Sequence, residues 1–369
     1  MLGFLGNSGL LHRCSLRPLV AFSLALCLAT LAACGPVAPR PAASAAIPVW
    51  PSPPDPPRFK YEATLRSAAD LLPGKLKREI RRSLPGSDRY FEAAFNKVGA
   101  IAARNGRIYL TDAVQRCIVV FDVPRRKVFR FGQRHPGNVV KPVGIALDNR
   151  SNVYVADVAR RQILVYDSLG LFVRAIGAPD DLVRPVGVAV DAAGQRIYVT
   201  DRGSNDNDLH RIVIFDGAGS KLQVLGGRGA GPGQFNAPIQ AAVGQDGRLY
   251  VLDAGNFRVQ AFAADGIFLR TFGTVGSGAA NFARPRGIAV DDEGHVYVSD
   301  AYFGNVQIFN AQGQLLLALG QAGDRDAPGR YGLVSGVAVD ETGRVYVGDQ
   351  LFRKVEVIRR LTPAEQVLP

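Results

Sequence analysis

Residues 285–320 read PRGIAVDDEGHVYVSDAYFGNVQIFNAQGQLLLALG, and this stretch constrains the fold more than any other. It holds four short runs, at 287–291, 295–299, 306–309 and 315–319, each rich in branched or aromatic residues and bounded by turn residues. That pattern predicts a four-stranded antiparallel meander. One such sheet cannot bury both faces, so it needs neighbours of its own kind. They are present at 142–177, 185–227 and 238–273, with a drifted copy at 98–132 and a truncated one at 334–358. The Asp that closes the second run of each copy falls at Asp112, Asp157, Asp201, Asp253, Asp300 and Asp349. One four-stranded blade per copy implies an all-β, six-bladed propeller of four-stranded antiparallel blades.

The last copy has three strands before the chain runs out. The segment PPRFKYEATLR at 56–66 has the character of an outermost strand, so residues 58–65 are expected to pair with the last blade and close the ring. The chain then divides into a signal at 1–33, a tether at 34–57, the closing strand with a short basic helix at 58–97, the repeats at 98–363 and a tail at 364–369. Within 58–97 the helix is expected over 75–84, where five basic residues face the single Glu79. Such a helix could rest on the ring or touch acidic lipid headgroups.

At the start of the chain Arg13 and Arg17 precede an apolar run, LVAFSLALCLATLAA, that is short for a membrane span and fits a secretory signal. Leu31, Ala32, Ala33 and Cys34 resemble the bacterial lipobox, which implies diacylglycerol on the Cys34 thiol. Gly35 stands where an Asp would favour inner-membrane retention, so the outer membrane, facing the periplasm or the cell surface, is the expected destination. Nine prolines between residues 35 and 57 predict an extended stalk that packs against nothing. Cys117 is then the one free thiol of the mature chain, with no base suggested beside it.

The repeated phrase Pro-x-Gly-(Ile/Val)-Ala-Val-Asp, (Val/Ile)-Tyr-Val-x-Asp, Arg-(Val/Ile)-x-x-Phe resembles the NHL repeat, and the lipidated start resembles bacterial NHL-repeat lipoproteins. The resemblance implies a six-bladed propeller and leaves function divided between binding scaffolds and enzymes of the amidating-lyase or lactonase type. Lyase relatives use a His-rich metal site. Here His135, His210 and His295 fall in loops on different faces, so no metal and no cofactor is expected, and no catalytic residue is assigned. The loop bearing Asn205, Asp206, Asn207 and Asp208 matches no calcium-loop spacing. Asp148, Asp191, Asp291 and Asp340 end inner strands and are read as solvated turn carboxylates. The six Asp residues of the second strands are read as structural, each accepting N–H groups of the turn that follows.

Removing Arg13 and Arg17 leaves 42 basic against 32 acidic residues, a net charge of +10 on the mature chain. That favours anionic partners, and export takes nucleic acid out of consideration. The expected partner is a protein or an anionic envelope glycan or lipid, bound by a monomer held to the membrane through its N-terminal lipid. Loops that lead into inner strands share a face with the turns joining second to third strands. Gln240, Arg286 and Ser335 depart from the repeat there and are expected at the channel mouth, with Lys141, Arg184, Arg284 and Arg330 around them. Arg160, Arg161, Arg202, Arg353 and Lys354 add to the positive charge of the same face, which Asp180, Asp181, Asp206, Asp208, Asp324 and Asp326 partly offset.

Overall fold

Alternating apolar residues bounded by Gly, Asp and Asn turns produce the expected strands in every copy. The computed structural model describes residues 47–83, 88–178, 180–204 and 207–366. The first blade runs Val98–Arg104, Arg107–Asp112, Cys117–Asp122 and Lys127–Phe131, each strand antiparallel to the next. Four further blades repeat this order with four strands each, the fifth being Pro285–Val290, Val296–Asp300, Asn305–Phe309 and Leu315–Leu319. The sixth takes Val334–Val339, Val345–Asp349 and Lys354–Arg360 from the C-terminal copy. Phe59–Leu65 pairs antiparallel with Lys354–Arg360, so the ring is closed by the N-terminal strand. The fold is a six-bladed β-propeller.

The core is divided among the seams between blades. Six buried clusters lie there, each combining one blade's residues with the next; Val119 and Phe121 of the first blade, for example, pack with Tyr346 and Val355 of the sixth. Glycine is required on the inner strands because neighbouring backbones touch. A Cβ on Gly144 would stand 2.8 Å from Gly187 Cα, and one on Gly336 would stand 2.8 Å from the Gly99 carbonyl oxygen. The crowding is between adjacent inner strands rather than towards the empty axis.

The tether does not stay clear of the propeller as far as residue 57. Val49–Trp50 pairs with the closing strand as a fifth strand of the last sheet, in register Trp50 with Phe59. The indole packs in the seam between blades five and six with Phe59 and Ile308, and a Cβ on Gly329 would meet it at 2.8 Å. An apolar ring with a seat available outweighs the extended bias of its proline neighbours. Cys34 and the signal lie outside the described residues. The helix forms as Gly74–Ser83, anchored where Lys77 Nζ donates to Asp70 at 2.7 Å.

A chain beginning at Ser67 loses the closing strand together with buried Phe59 and Leu65. Truncating such side chains costs roughly 2–5 kcal/mol each, so its melting temperature should fall by at least about 10 °C relative to a chain beginning at Ile47. Equal melting in calorimetry would contradict the closure.

Candidate functional site

The face that carries the loops into the inner strands is held by one repeated contact. Each second strand ends in a fully buried aspartate whose carboxylate collects backbone N–H groups of the loop leading into the first strand. Asp157 accepts from Val140 at 2.6 Å and Lys141 at 3.0 Å on that side, and from Ala159 and Arg160 of the following turn. Asp300 does the same with Ala283, Arg284 and Tyr302, Asp349 with Gly332, Leu333 and Phe352, and Asp112 with Asn96, Lys97, Val114 and Gln115. In blades three and four a guanidinium replaces turn N–H groups: Arg211 on Asp201 and Arg258 on Asp253. In blades one, two, five and six the clasp therefore ties two loops, one more than the sequence pattern implies.

On the opposite face three of the four turn carboxylates are not solvated, while Asp191 is only half-buried and accepts from Gln195 N in an exposed turn. Asp148, Asp291 and Asp340 are buried. Each accepts from N–H groups of its own turn and from the tyrosine six residues later, Tyr346 to Asp340 at 2.7 Å being the shortest of the tyrosine contacts. Burial, and then the Asp148 carboxylate, push the Tyr154 hydroxyl up to about 12. His295 Nδ1 lies 3.0 Å from Asp291 and belongs to the same turn, whereas His210 Nδ1 accepts from Ala237 on the other face. Among the described residues no three His, Cys, Asp or Glu side chains are grouped for a metal. Cys117 is buried and its thiol is pushed up to about 11, chiefly by burial.

At the clasped face the axial channel opens into a cleft of about 280 Å³. Lys141, Arg184, Arg286, Gln240 and Ser335 line it together, joined by Arg202 and Gln350. Arg284 and Arg330 do not line it; Arg330 lies in a short parallel pairing, Gln321–Ala322 with Arg330–Tyr331. Lys354 is no free cation: it is fully buried, with Glu356 at 2.5 Å and Asp326 at 3.1 Å, because a buried charge must be paired.

Gln240 and Ser335 are explained by the seams. The residue before the clasping Asp carries a hydroxyl that bridges to the next blade in two copies, Thr111 to the Val143 carbonyl and Ser299 to the Ser335 carbonyl. Blade four has Leu252 at that position, and there Gln240 Oε1 accepts from Ile288 N of blade five instead, at 3.3 Å. Blade six has Gly348, whose absent Cβ would lie 2.7 Å from Ser335 Oγ, so the serine hydroxyl occupies the vacated space. Gln240 thus makes a seam contact where the hydroxyl is missing, whereas Ser335 fills space and its buried hydroxyl has no hydrogen-bond partner among the described residues.

The cations are different. The side chains of Lys141, Arg184, Arg202 and Arg286 make no hydrogen bond or ion pair among the described residues, and no acidic side chain lines the cleft. Burial and then Arg284 lower the pKa of Arg286; burial and then Arg184 lower that of Arg202. Three loop carboxylates of this face pair with other cations: Asp181 with Lys221, Asp208 with Arg228, Asp326 with Arg66 and Lys354. At the far end of the channel the lining includes Asp291, Asp292, Asp340 and Glu341, so the axis runs from a basic to an acidic mouth.

A closed repeat propeller with an axial cleft is shared by binding proteins and enzymes. The NHL-repeat family model matches residues 235–262 and 282–309, within blades four and five. The chain carries NHL repeats within a six-bladed β-propeller. It is 27% identical over 201 residues to mouse (Mus musculus) NHL repeat-containing protein 3, covering 49% of this chain and 55% of that one. It is 30% identical over 138 residues to the rat (Rattus norvegicus) peptidylglycine alpha-amidating monooxygenase, 34% of this chain and 14% of the relative. The chain thus spans about half, or far less, of the length of these relatives. A gluconolactonase from Xanthomonas campestris superposes with a TM-score of 0.53 at 19% identity, over 73% of this chain and 88% of that one, which shows the shared fold.

Replacing Asp157 by Ala leaves four partly buried N–H groups without an acceptor, at roughly 1–3 kcal/mol for each group not rescued by water. Chemical denaturation should show a loss of about 3–5 kcal/mol, with Asp157→Asn losing less. A loss under about 1 kcal/mol would remove the clasp from the account.

Proposed function

We propose that this protein is a lipid-anchored binding propeller of the bacterial cell envelope that captures an anionic partner at its basic channel mouth and performs no chemistry there. The observation that carries the reading is the unneutralised charge of Lys141, Arg184, Arg202 and Arg286 around one cleft. Like charges held together and partly stripped of water cost stability, and an anion placed among them repays that cost through charge-assisted hydrogen bonds. Arg supplies planar forks suited to carboxylate or phosphate, and Lys141 adds a point charge. The alternative, a metal-dependent hydrolase or lyase, would need ligands converging on the channel. The carboxylates at its acidic mouth are instead spent on their own turns and neighbours, as Asp291 and Asp340 show.

Anchoring follows from Cys34. Cys34→Ser should abolish partitioning into the detergent phase after signal processing; retention there would refute the anchor.

Arg286→Ala should weaken retention on an immobilised polygalacturonate matrix by about tenfold in apparent affinity, one charged hydrogen bond being worth roughly 1.5–3 kcal/mol, with the melting temperature unchanged. Arg359→Ala, which breaks only the exposed pair with Glu365, should change neither. Equal retention of both variants would contradict the reading.

A further inference from the structure

The turn after each clasping Asp carries a second feature at the same mouth. Two residues beyond the Asp stand Val114, Ala159, Gly203, Gly255, Tyr302 and Leu351 in blades one to six. The side chain is small in blades two, three and four. In blades five, six and one, which are consecutive around the closed ring, it is bulky, apolar and exposed: Tyr302 at 66%, Leu351 at 62% and Val114 at 59%. Apolar residues scattered singly over a surface are ordinary, but these occupy one register position on three adjacent blades and none belongs to a core cluster. Gln350, next to Leu351, lines the cleft, so the arc is continuous with the basic mouth. Phe303 and Phe352 follow as the third residues of the turns in blades five and six, and the Phe303 ring sits edge-on to Tyr302 at 5.3 Å between centroids.

We propose that the partner recognised at this face is an acidic polypeptide segment bearing bulky apolar side chains, which seats carboxylates in the cleft and lays its apolar residues on the arc of Val114, Tyr302 and Leu351. This rests on the reading of the cleft as an anion site and narrows it to one class of partner. A uronic-acid glycan has no bulky apolar groups for the arc, which would then be left exposed for no purpose. A lipid surface offers phosphates to the cations but no bulky side chains to fill the spaces between Val114, Tyr302 and Leu351, and it is kept as an outcome of the test. A peptide alternates the two kinds of side chain along one flexible backbone, and exposed aromatic and aliphatic anchors beside a charged pocket are the usual composition of a peptide-binding face.

The test titrates the whole mature protein with a synthetic peptide of Glu-Leu-Glu-Tyr repeats, with oligoglutamate of the same charge, and with phosphatidylglycerol vesicles. The mixed peptide should bind at least tenfold more tightly than oligoglutamate. Tyr302→Ser and Leu351→Ser, both at exposed positions, should erase that difference, and Arg286→Ala should weaken both peptides. Equal binding of the two peptides, both reduced by Arg286→Ala, would overturn this inference and leave the anion site standing. Vesicle binding that depends on Tyr302 and Leu351 would overturn it in favour of a lipid surface. Insensitivity of every ligand to Arg286→Ala would overturn the anion site itself.

Discussion

A buried carboxylate at the end of each second strand is the contact on which the rest of this propeller depends. It is fully desolvated and is compensated by N–H groups drawn from two separate loops. One loop brings the chain in from the previous blade and the other turns it outward within the same blade. The clasp therefore sets where each inner strand begins, and with it how closely inner strands approach across the glycine column. Without an acceptor of that charge the loops would carry unpaired donors into a dry interior.

The clasp also decides the electrostatics of the two mouths. The clasping carboxylates point into the loops and their paired cations such as Arg211 and Arg258, and no acidic side chain lines the cleft among the cations on the loops into the inner strands. On the other face the inner strands end in carboxylates that bind their own turns but remain at the rim of the channel. The basic mouth is thus a by-product of how blades are built, made specific by Arg184, Arg202, Arg286 and Lys141.

Most of the fold was legible in the sequence, because strand alternation, turn residues and the Asp and Gly columns recur in register and each has one physical use. Closure by the N-terminal strand was legible for the same reason: an edge was missing and one segment matched it. What escaped were contacts that join distant positions. Trp50 sits among prolines that favour extension, and only the seat beside Gly329 shows that it packs. Gln240 and Ser335 stood out as departures from the repeat, yet Gln240 reaches Ile288 of the next blade and Ser335 fills the space beside Gly348, contacts that only the folded ring creates. Lys354 looked like a free surface cation, since its partners Glu356 and Asp326 approach it only in the folded blade. Of the expected site, Arg184, Lys141 and Arg286 do converge, whereas Arg284 and Arg330 are carried away by loop geometry.

The central claim, that the clasped face holds a set of cations awaiting an anion, is tested most directly by a crystal soaked in bromide and measured at the bromine absorption edge. The account expects an anomalous peak in the cleft within reach of Arg184, Arg202 and Arg286. An empty cleft, with those guanidinium groups turned onto carboxylates of their own loops, would contradict it.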